Sequence, residues 1–121
     1  RGSETVSVTL QDLYLGPEYV FGETGIGFRD ALEALEGGRL GIAAQAIGIA
    51  EAALDYARAY AEERVQFGRP IAEFQGMQFM LADMATRVEA ARGLLYRAAL
   101  AYDADEARKR KLSSMAKLNA S

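Results

Sequence analysis

From Phe28 to about Arg64 the chain has no proline, and alanine, leucine and glutamate dominate, so one long helix is the reading this stretch imposes. Leu40, Ala43, Ile47, Ala50, Leu54, Ala57 and Ala61 fall on one apolar stripe of that helix, and Ile42, Ala46, Ile49, Ala53, Tyr56 and Tyr60 on a second beside it. Glu51, Asp55, Arg58 and Glu62, three and four residues apart, occupy the narrow strip left over, as expected of a single solvated edge. Such a helix should be buried on most sides.

Val65 to Pro70 interrupt the pattern, and a second long helix is expected to begin near Ile71 to Glu73. Phe74, Leu81, Val88, Leu95 and Tyr102 recur every seven residues, with Met77, Met84, Ala91 and Ala98 between them, which makes a seam for antiparallel bundle packing. Asp103 to Lys111 is charged and shows no period, and Leu112 to Ser121 reads as the start of a third helix. Two and a half helices do not close a bundle. A fourth helix, or another copy of the chain, is expected to cover what they leave open.

At the other end, Val6, Val8 and Leu10 alternate with Ser7 and Thr9, followed by Leu13 and Leu15, a pattern that predicts one or two short strands. Gly16 and Pro17 break it, and Gly22, Gly25 and Gly27 make a flexible approach to the long helix. Two strands alone make no stable sheet, so these should belong to a sheet with other strands upstream, or pair with another molecule. The expected fold is mainly α: long antiparallel helices of a four-helix-bundle domain, preceded by one or two short strands. Residues 1–24 are assigned to the end of a β-domain and its linker, and 25–121 to an incomplete helical domain.

Composition narrows the chemistry. In 121 residues, 14 basic and 17 acidic side chains give a net charge of −3, which does not suit a surface built to neutralise a phosphate backbone. There is no cysteine and no histidine, which removes disulfides, thiolate sites and the commonest metal ligand and general base. No metal site is expected, and the absent histidine also excludes a Glu-x-x-His di-iron bundle. No apolar run approaches the roughly 20 residues of a membrane span, and no signal pattern opens the chain. A soluble, cytoplasmic protein is expected.

Several short motifs carry little. Gly25-Ile26-Gly27 suggests a dinucleotide-binding turn, but Asp30 stands where the third glycine belongs. Ser114-Met115-Ala116-Lys117 has the spacing of an acyl-enzyme motif without its companions and reads as structural, and Arg108 to Lys111 reads as a solvated turn or helix edge. Gly37, Gly38 and Gly41 around Arg39 are more informative, because a glycine inside a helix costs about 1 kcal/mol against alanine. Either the helices pack closely or break there, or a ligand lies against the helix beside the Arg39 charge.

Arg64-Val65-Gln66-Phe67-Gly68-Arg69-Pro70 crowds two arginines, an amide and an aromatic into a tight connection, with the unpaired N–H groups of the next helix beside them. This suits a phosphate group: Arg64 can hold an anion bidentately, Gln66 can donate a hydrogen bond, and Phe67 can cover an apolar ring system. The competing reading is a polar turn with one aromatic tucked into the core.

These residues also carry a family resemblance that runs through most of the chain. Arg1-Gly2-Ser3 with Thr5, and Val8 to Asp12, resemble the last strands of the acyl-CoA dehydrogenase β-domain, and Gly22-Glu23 with Gly27-Phe28 resemble its passage into the helical domain. Gly38-Arg39-Leu40-Gly41-Ile42-Ala43 and Gln45-Ala46-Ile47-Gly48 are similar to the first long helix of that domain. Tyr60 to Gly68 with Pro70-Ile71 is the most specific segment. Phe74-Gln75, Leu81 to Met84, Ala91-Arg92 and Ala116-Lys117 continue the pattern.

The resemblance implies a homotetrameric flavoenzyme that removes a proton from Cα and a hydride from Cβ of an acyl-CoA, with FAD taking the hydride and an electron-transfer flavoprotein taking the electrons. It implies that Arg64 and Gln66 reach the FAD pyrophosphate of a neighbouring subunit, with Phe67 and Gln75 near the same cofactor. Leu35, Gly38 and Ile42 match positions facing the acyl pocket, Arg39 an arginine near the reacting centre, and Glu36 an acidic position near the thioester tail. In some members the catalytic glutamate occupies the position of Gly38, so the base is expected beyond Ser121 and the chain alone is expected to be inactive. Gly16 is an extra residue, and Asp103 to Leu112 has no clear counterpart. The alternatives are an acyl-CoA oxidase or flavin monooxygenase of the same fold, or a non-catalytic helical module pairing through the Phe74 to Tyr102 seam.

Overall fold

The computed structural model describes residues 5–121, so the Arg1-Gly2-Ser3 part of the resemblance lies outside the described residues. Three helices make up the fold: α1 (Gly27–Glu63), α2 (Gln75–Asp103) and α3 (Lys109–Ala120). At about 1.5 Å per residue the 37-residue α1 is roughly 55 Å long. It runs unbroken through its glycines. A Cβ placed on Gly37 would sit 3.4 Å from the Tyr102 hydroxyl, so close packing against α2 is the use of that glycine, and no break occurs there.

Facing residues give the helix directions. Gly37 meets Tyr102 near one end of α1 and Glu51 meets Arg92 further along, so α1 and α2 are antiparallel. On the other flank Glu36 meets Arg110 and Arg39 meets Ser114, so α3 runs parallel to α1. The core between them is thin and built mostly of alanine. Ala43, Ala98, Ala101, Leu112 and Ala116 form one buried cluster with Leu40, Leu94 and Leu95 against it, and Ile47, Val88 and Ala91 form a second. Small side chains let the helices approach closely.

The seven-residue seam of α2 faces this core, as its period requires. On α1 only the Leu40 to Ala61 stripe does so. The second stripe is uncovered among the described residues, with Ile49 65% and Tyr56 76% exposed, so the expected burial on most sides is not met. The reason is the bundle's open side: α2 and α3 each cover one flank of α1 and leave the remaining face without a neighbour among the described residues. Glu51 also departs from the solvated-edge reading. Its carboxylate accepts a hydrogen bond from the half-buried Arg92 at 2.7 Å, and Arg92 also meets Glu89 at 3.2 Å.

The predicted N-terminal strands do not form among the described residues. Residues 5–24 carry only a 3-10 turn at Pro17–Tyr19, and Val6, Val8 and Leu10 are exposed. Alternation selects residues that suit a strand, but a strand forms only where a second row of N–H and C=O groups pairs with it, and none lies alongside this segment among the described residues. The strands of the fold lie instead between α1 and α2, where Val65–Gln66 (β1) pairs antiparallel with Arg69–Pro70 (β2), Val65 opposite Pro70 and Gln66 opposite Arg69. A second 3-10 turn, Ile71–Glu73, then leads into α2.

The uncharacterised charged stretch is the α2–α3 turn. Arg97 grips Glu106 with two parallel hydrogen bonds of 3.0 and 2.8 Å, Glu106 N–H closes onto the Ala101 carbonyl at 2.9 Å, and Lys109 pairs with Asp105, which sits at φ 50°. The basic run enters α3 here instead of forming a loop, since Lys109, Arg110 and Lys111 make up the first turn of that helix.

Candidate functional site

Two regions collect the residues singled out above. The first is the β1–β2 hairpin. Its two-residue loop, Phe67-Gly68, has both φ angles positive, 53° and 82°, the backbone of a type I′ turn that matches strand twist. Glycine adopts this freely. Phenylalanine does not, and an aromatic in the left-handed region is an outlier of the kind that clusters at ligand contacts. The cost places the ring in the open: Phe67 is 93% exposed and touches the fold through an edge-to-face contact with Phe74. The reading of Phe67 as an aromatic tucked into the core is therefore wrong for these residues.

The backbone around Phe67 is well anchored. Arg64 N–H donates to the Tyr60 carbonyl and Ile71 N–H to the Arg64 carbonyl, each at 2.8 Å, so the hairpin is tied to the end of α1 whatever the Arg64 side chain does. That side chain is exposed, with no ion-pair partner among the described residues. Gln66 donates its amide to the Val65 carbonyl at 2.8 Å, and the Arg69 guanidinium lies 4.3 Å over the Phe74 ring. Gln75 opens α2, whose first turn has neither a capping side chain nor an acid; the Phe74 carbonyl takes the Met77 and Gln78 N–H groups, leaving those of Gln75 and Gly76 at the positive end of the helix.

Beside the hairpin is an almost wholly apolar cavity of about 580 Å³, lined by Gln66, Phe67, Ile71, Phe74, Gly76, Met77 and Met80. Its walls suit a flat ring system, and the arginine and amide at the hairpin suit an anion attached to it. The residues present therefore fit a dinucleotide cofactor with a pyrophosphate. Gln66 and Phe67 line this cavity; Arg64 and Gln75 flank it in sequence without lining it.

The second region lies on α1. Leu35, Gly38, Arg39 and Ile42 share one groove of about 320 Å³ with Lys117 of α3. Four of the five residues predicted for the acyl group are thus brought together. A Cβ on Gly38 would meet nothing within 4 Å, so here the glycine leaves space open instead of admitting a neighbouring helix. Glu36 is not in this groove. It turns toward α3, 7% exposed, and pairs with the Arg110 guanidinium at 2.5 Å in a recess it shares with Arg29, Leu32, Glu33 and Lys109. Arg39 donates to Ser114 Oγ at 3.1 Å, and Ser114 in turn donates to the Arg110 carbonyl at 2.9 Å.

The two regions are far apart. Twenty-five residues of helix separate Arg39 from Arg64, roughly 37 Å along α1. Among the described residues no cluster of three metal-binding side chains occurs, and no helix is long and apolar enough to cross a membrane.

The family described as "Acyl-CoA dehydrogenase, C-terminal domain" matches residues 25–121. The chain belongs to the acyl-CoA dehydrogenase family. Its sequence is 48% identical over 120 residues to the acryloyl-CoA reductase (NADH) of Anaerotignum propionicum, covering 99% of this chain and 30% of that protein. The structure of butyryl-CoA dehydrogenase from Megasphaera elsdenii superposes with a TM-score of 0.87 at 46% identity, over 91% of this chain and 28% of that one. A chain in the structure described as the electron transferring flavoprotein of Acidaminococcus fermentans matches with a TM-score of 0.79 at 52% identity, over 82% of this chain and 26% of that one. The chain thus spans less than a third of the length of these relatives.

Within this acyl-CoA dehydrogenase domain, the sequence missed Lys117, Arg110 and Ser114, along with the apolar lining at Ile71, Met77 and Met80. Lys117 and Ser114 lie in the Ser-x-x-Lys string set aside as structural. Their three-residue spacing puts them on neighbouring turns of α3, but only the packing against α1 brings them to Arg39 and the groove.

Proposed function

We propose that this chain is the C-terminal helical part of an FAD-dependent enzyme acting on the Cα–Cβ bond of an acyl-CoA thioester. The observation that carries the reading is the hairpin: an exposed aromatic held at positive φ over an apolar cavity, with Arg64 and Gln66 beside it. FAD, when bound, accepts the hydride that leaves Cβ. Arg64 and Gln66 hold its pyrophosphate, Phe67 covers an adjoining ring, and Gln75 presents the open start of α2.

The roughly 37 Å between Arg39 and Arg64 supports the assignment of these contacts to a flavin other than the one served by the chain's own acyl groove. Leu35, Gly38 and Ile42 line the space for the acyl chain, Arg39 brings a fixed positive charge toward the reacting centre, and Glu36, outside the groove and turned toward α3, serves the thioester tail from the recess behind Arg39. With glycine at position 38, the proton from Cα goes to a base outside these residues. On this reading residues 1–24 close a β-domain, residues 25–121 belong to the helical domain, and the enzyme is a cytoplasmic homotetramer whose electrons pass to an electron-transfer flavoprotein.

A second direction of reaction has a specific observation in its favour. The relative that matches 99% of this chain is named for reducing acryloyl-CoA, whereas the Megasphaera elsdenii structure is named for dehydrogenating butyryl-CoA. Relatives of these helices are therefore named for both directions.

The test is an anaerobic absorption spectrum of the full-length protein, before and after acyl-CoA substrates of several chain lengths. Bleaching of a flavin spectrum by an acyl-CoA supports chemistry at the Cα–Cβ bond and ranks the substrates; because that half-reaction runs both ways, the direction is read from turnover, NADH-dependent reduction of an enoyl-CoA supporting the reductase and acyl-CoA oxidation by an added electron acceptor the dehydrogenase. Rapid reaction of reduced flavin with oxygen would favour an oxidase or monooxygenase, and a protein without flavin would favour a helical interaction module.

A further inference from the structure

We infer that Arg110 and Ser114 of α3 are positioning residues for the acyl-CoA site, holding Glu36 and Arg39 in their working orientation. The inference rests on the proposed function and adds to it the elements that set its thioester end.

Glu36 and Arg39 lie one turn apart on α1, and Arg110 and Ser114 lie one turn apart on the parallel α3. The two pairs meet rung by rung, Glu36 with Arg110 at 2.5 Å and Arg39 with Ser114 at 3.1 Å, and the 2.9 Å hydrogen bond from Ser114 to the Arg110 carbonyl joins the rungs. Glu36 is the one charged residue among the buried set of the described residues. A carboxylate so placed needs a partner, and of the three cations in its recess, Arg29, Lys109 and Arg110, only Arg110 is within ion-pair distance. Arg110 supplies that partner and fixes which way the carboxylate faces.

The platform on which α3 sits is firm. Tyr102 packs at Gly37, between Glu36 and Gly38, and the Arg97–Glu106 pair lies in the connector ahead of α3, away from both rungs. Neither Arg110 nor Ser114 lines the acyl groove, whereas Arg39 does, so their influence on substrate passes through α1.

The test uses the full-length flavoprotein and compares Arg110→Ala, Arg110→Lys, Ser114→Ala and, as a control, Arg97→Ala, which breaks a pair in the same connector without touching Glu36 or Arg39. Acyl-CoA binding is followed by perturbation of the flavin spectrum, with KM, kcat and the melting temperature measured on the same samples. Arg110→Ala should weaken binding and raise KM about tenfold with kcat changed by less than about threefold, Ser114→Ala should do so by about threefold, and Arg110→Lys should recover part of the loss. Arg97→Ala should lower the melting temperature and leave KM unchanged.

Equal KM in wild type and Arg110→Ala overturns the inference while leaving the proposed function standing, and so does an Arg97→Ala variant whose KM rises as far as that of Arg110→Ala. A wild-type protein that binds no acyl-CoA overturns both.

Discussion

The rings of Phe67 and Phe74 meet edge to face, their centroids 6.2 Å apart and their planes at 89°, with Phe67 at the tip of a tight hairpin and Phe74 at the foot of α2. Phe67 is held there at a backbone cost, since φ 53° suits asparagine or glycine far better. Phe67→Asn should therefore leave the unfolding free energy of the flavin-free protein unchanged to within about 0.5 kcal/mol, because turn relief offsets the lost contact at an exposed site. Flavin retention should fall about tenfold, read by fluorescence of released flavin on dilution.

Arg64 makes its structural hydrogen bonds through its backbone, so its side chain can be removed without unpicking the hairpin. Arg64→Ala should weaken FAD retention roughly ten- to a hundredfold, the range for a charge-assisted bidentate partner, with an unaltered far-ultraviolet circular dichroism spectrum. Unchanged flavin occupancy would count against the assignment.

Gly38 faces open space in the groove with Leu35, Arg39, Ile42 and Lys117. Alanine there gains helix propensity of about 1 kcal/mol and places a methyl group in the groove. Gly38→Ala should raise the melting temperature and at the same time raise KM for acyl-CoA by roughly threefold or more. A stabilised variant with unchanged KM would mean the groove holds something else.

The connector between α2 and α3 should respond to acid. Hydrogen bonding from Arg97 holds the Glu106 carboxyl below the usual carboxylate range, and Lys109 does the same for Asp105. A carboxyl whose pKa is lowered on folding stabilises the fold while ionised. That contribution is complete above the ordinary carboxylate range and is lost as pH falls through the lowered one. The drop in melting temperature caused by Arg97→Ala should be small and salt-sensitive at neutral pH, and should vanish once the pH has fallen through the lowered Glu106 range. A drop that persists in acid would show that Arg97 acts by packing.

The helices were legible because their signals are local and repeated: no proline from Phe28 to Arg64, and apolar residues every seventh position from Phe74 to Tyr102. The hairpin was not, since two-residue strands have no period to detect, although the same residues could be singled out by their chemistry. Val6, Val8 and Leu10 misled because alternation describes a strand's face and says nothing about whether a partner edge is present. At the proposed acyl groove, the costly glycine cluster beside Arg39 left close packing, a break or a ligand open, and only the resemblance assigned Gly38 and Arg39 to substrate. Arg110 and Ser114 were not legible, because their partners Glu36 and Arg39 lie 74 and 75 residues away and no local pattern connects them.

The length of α1 has a genetic consequence. On the proposed function, one rigid rod carries an acyl groove toward one end and a hairpin that grips a neighbour's flavin at the other, so no subunit owns its active site. A copy with a damaged hairpin starves a neighbour's flavin while its own groove stays sound, so in a mixed population the lesion and the deficit reside in different chains.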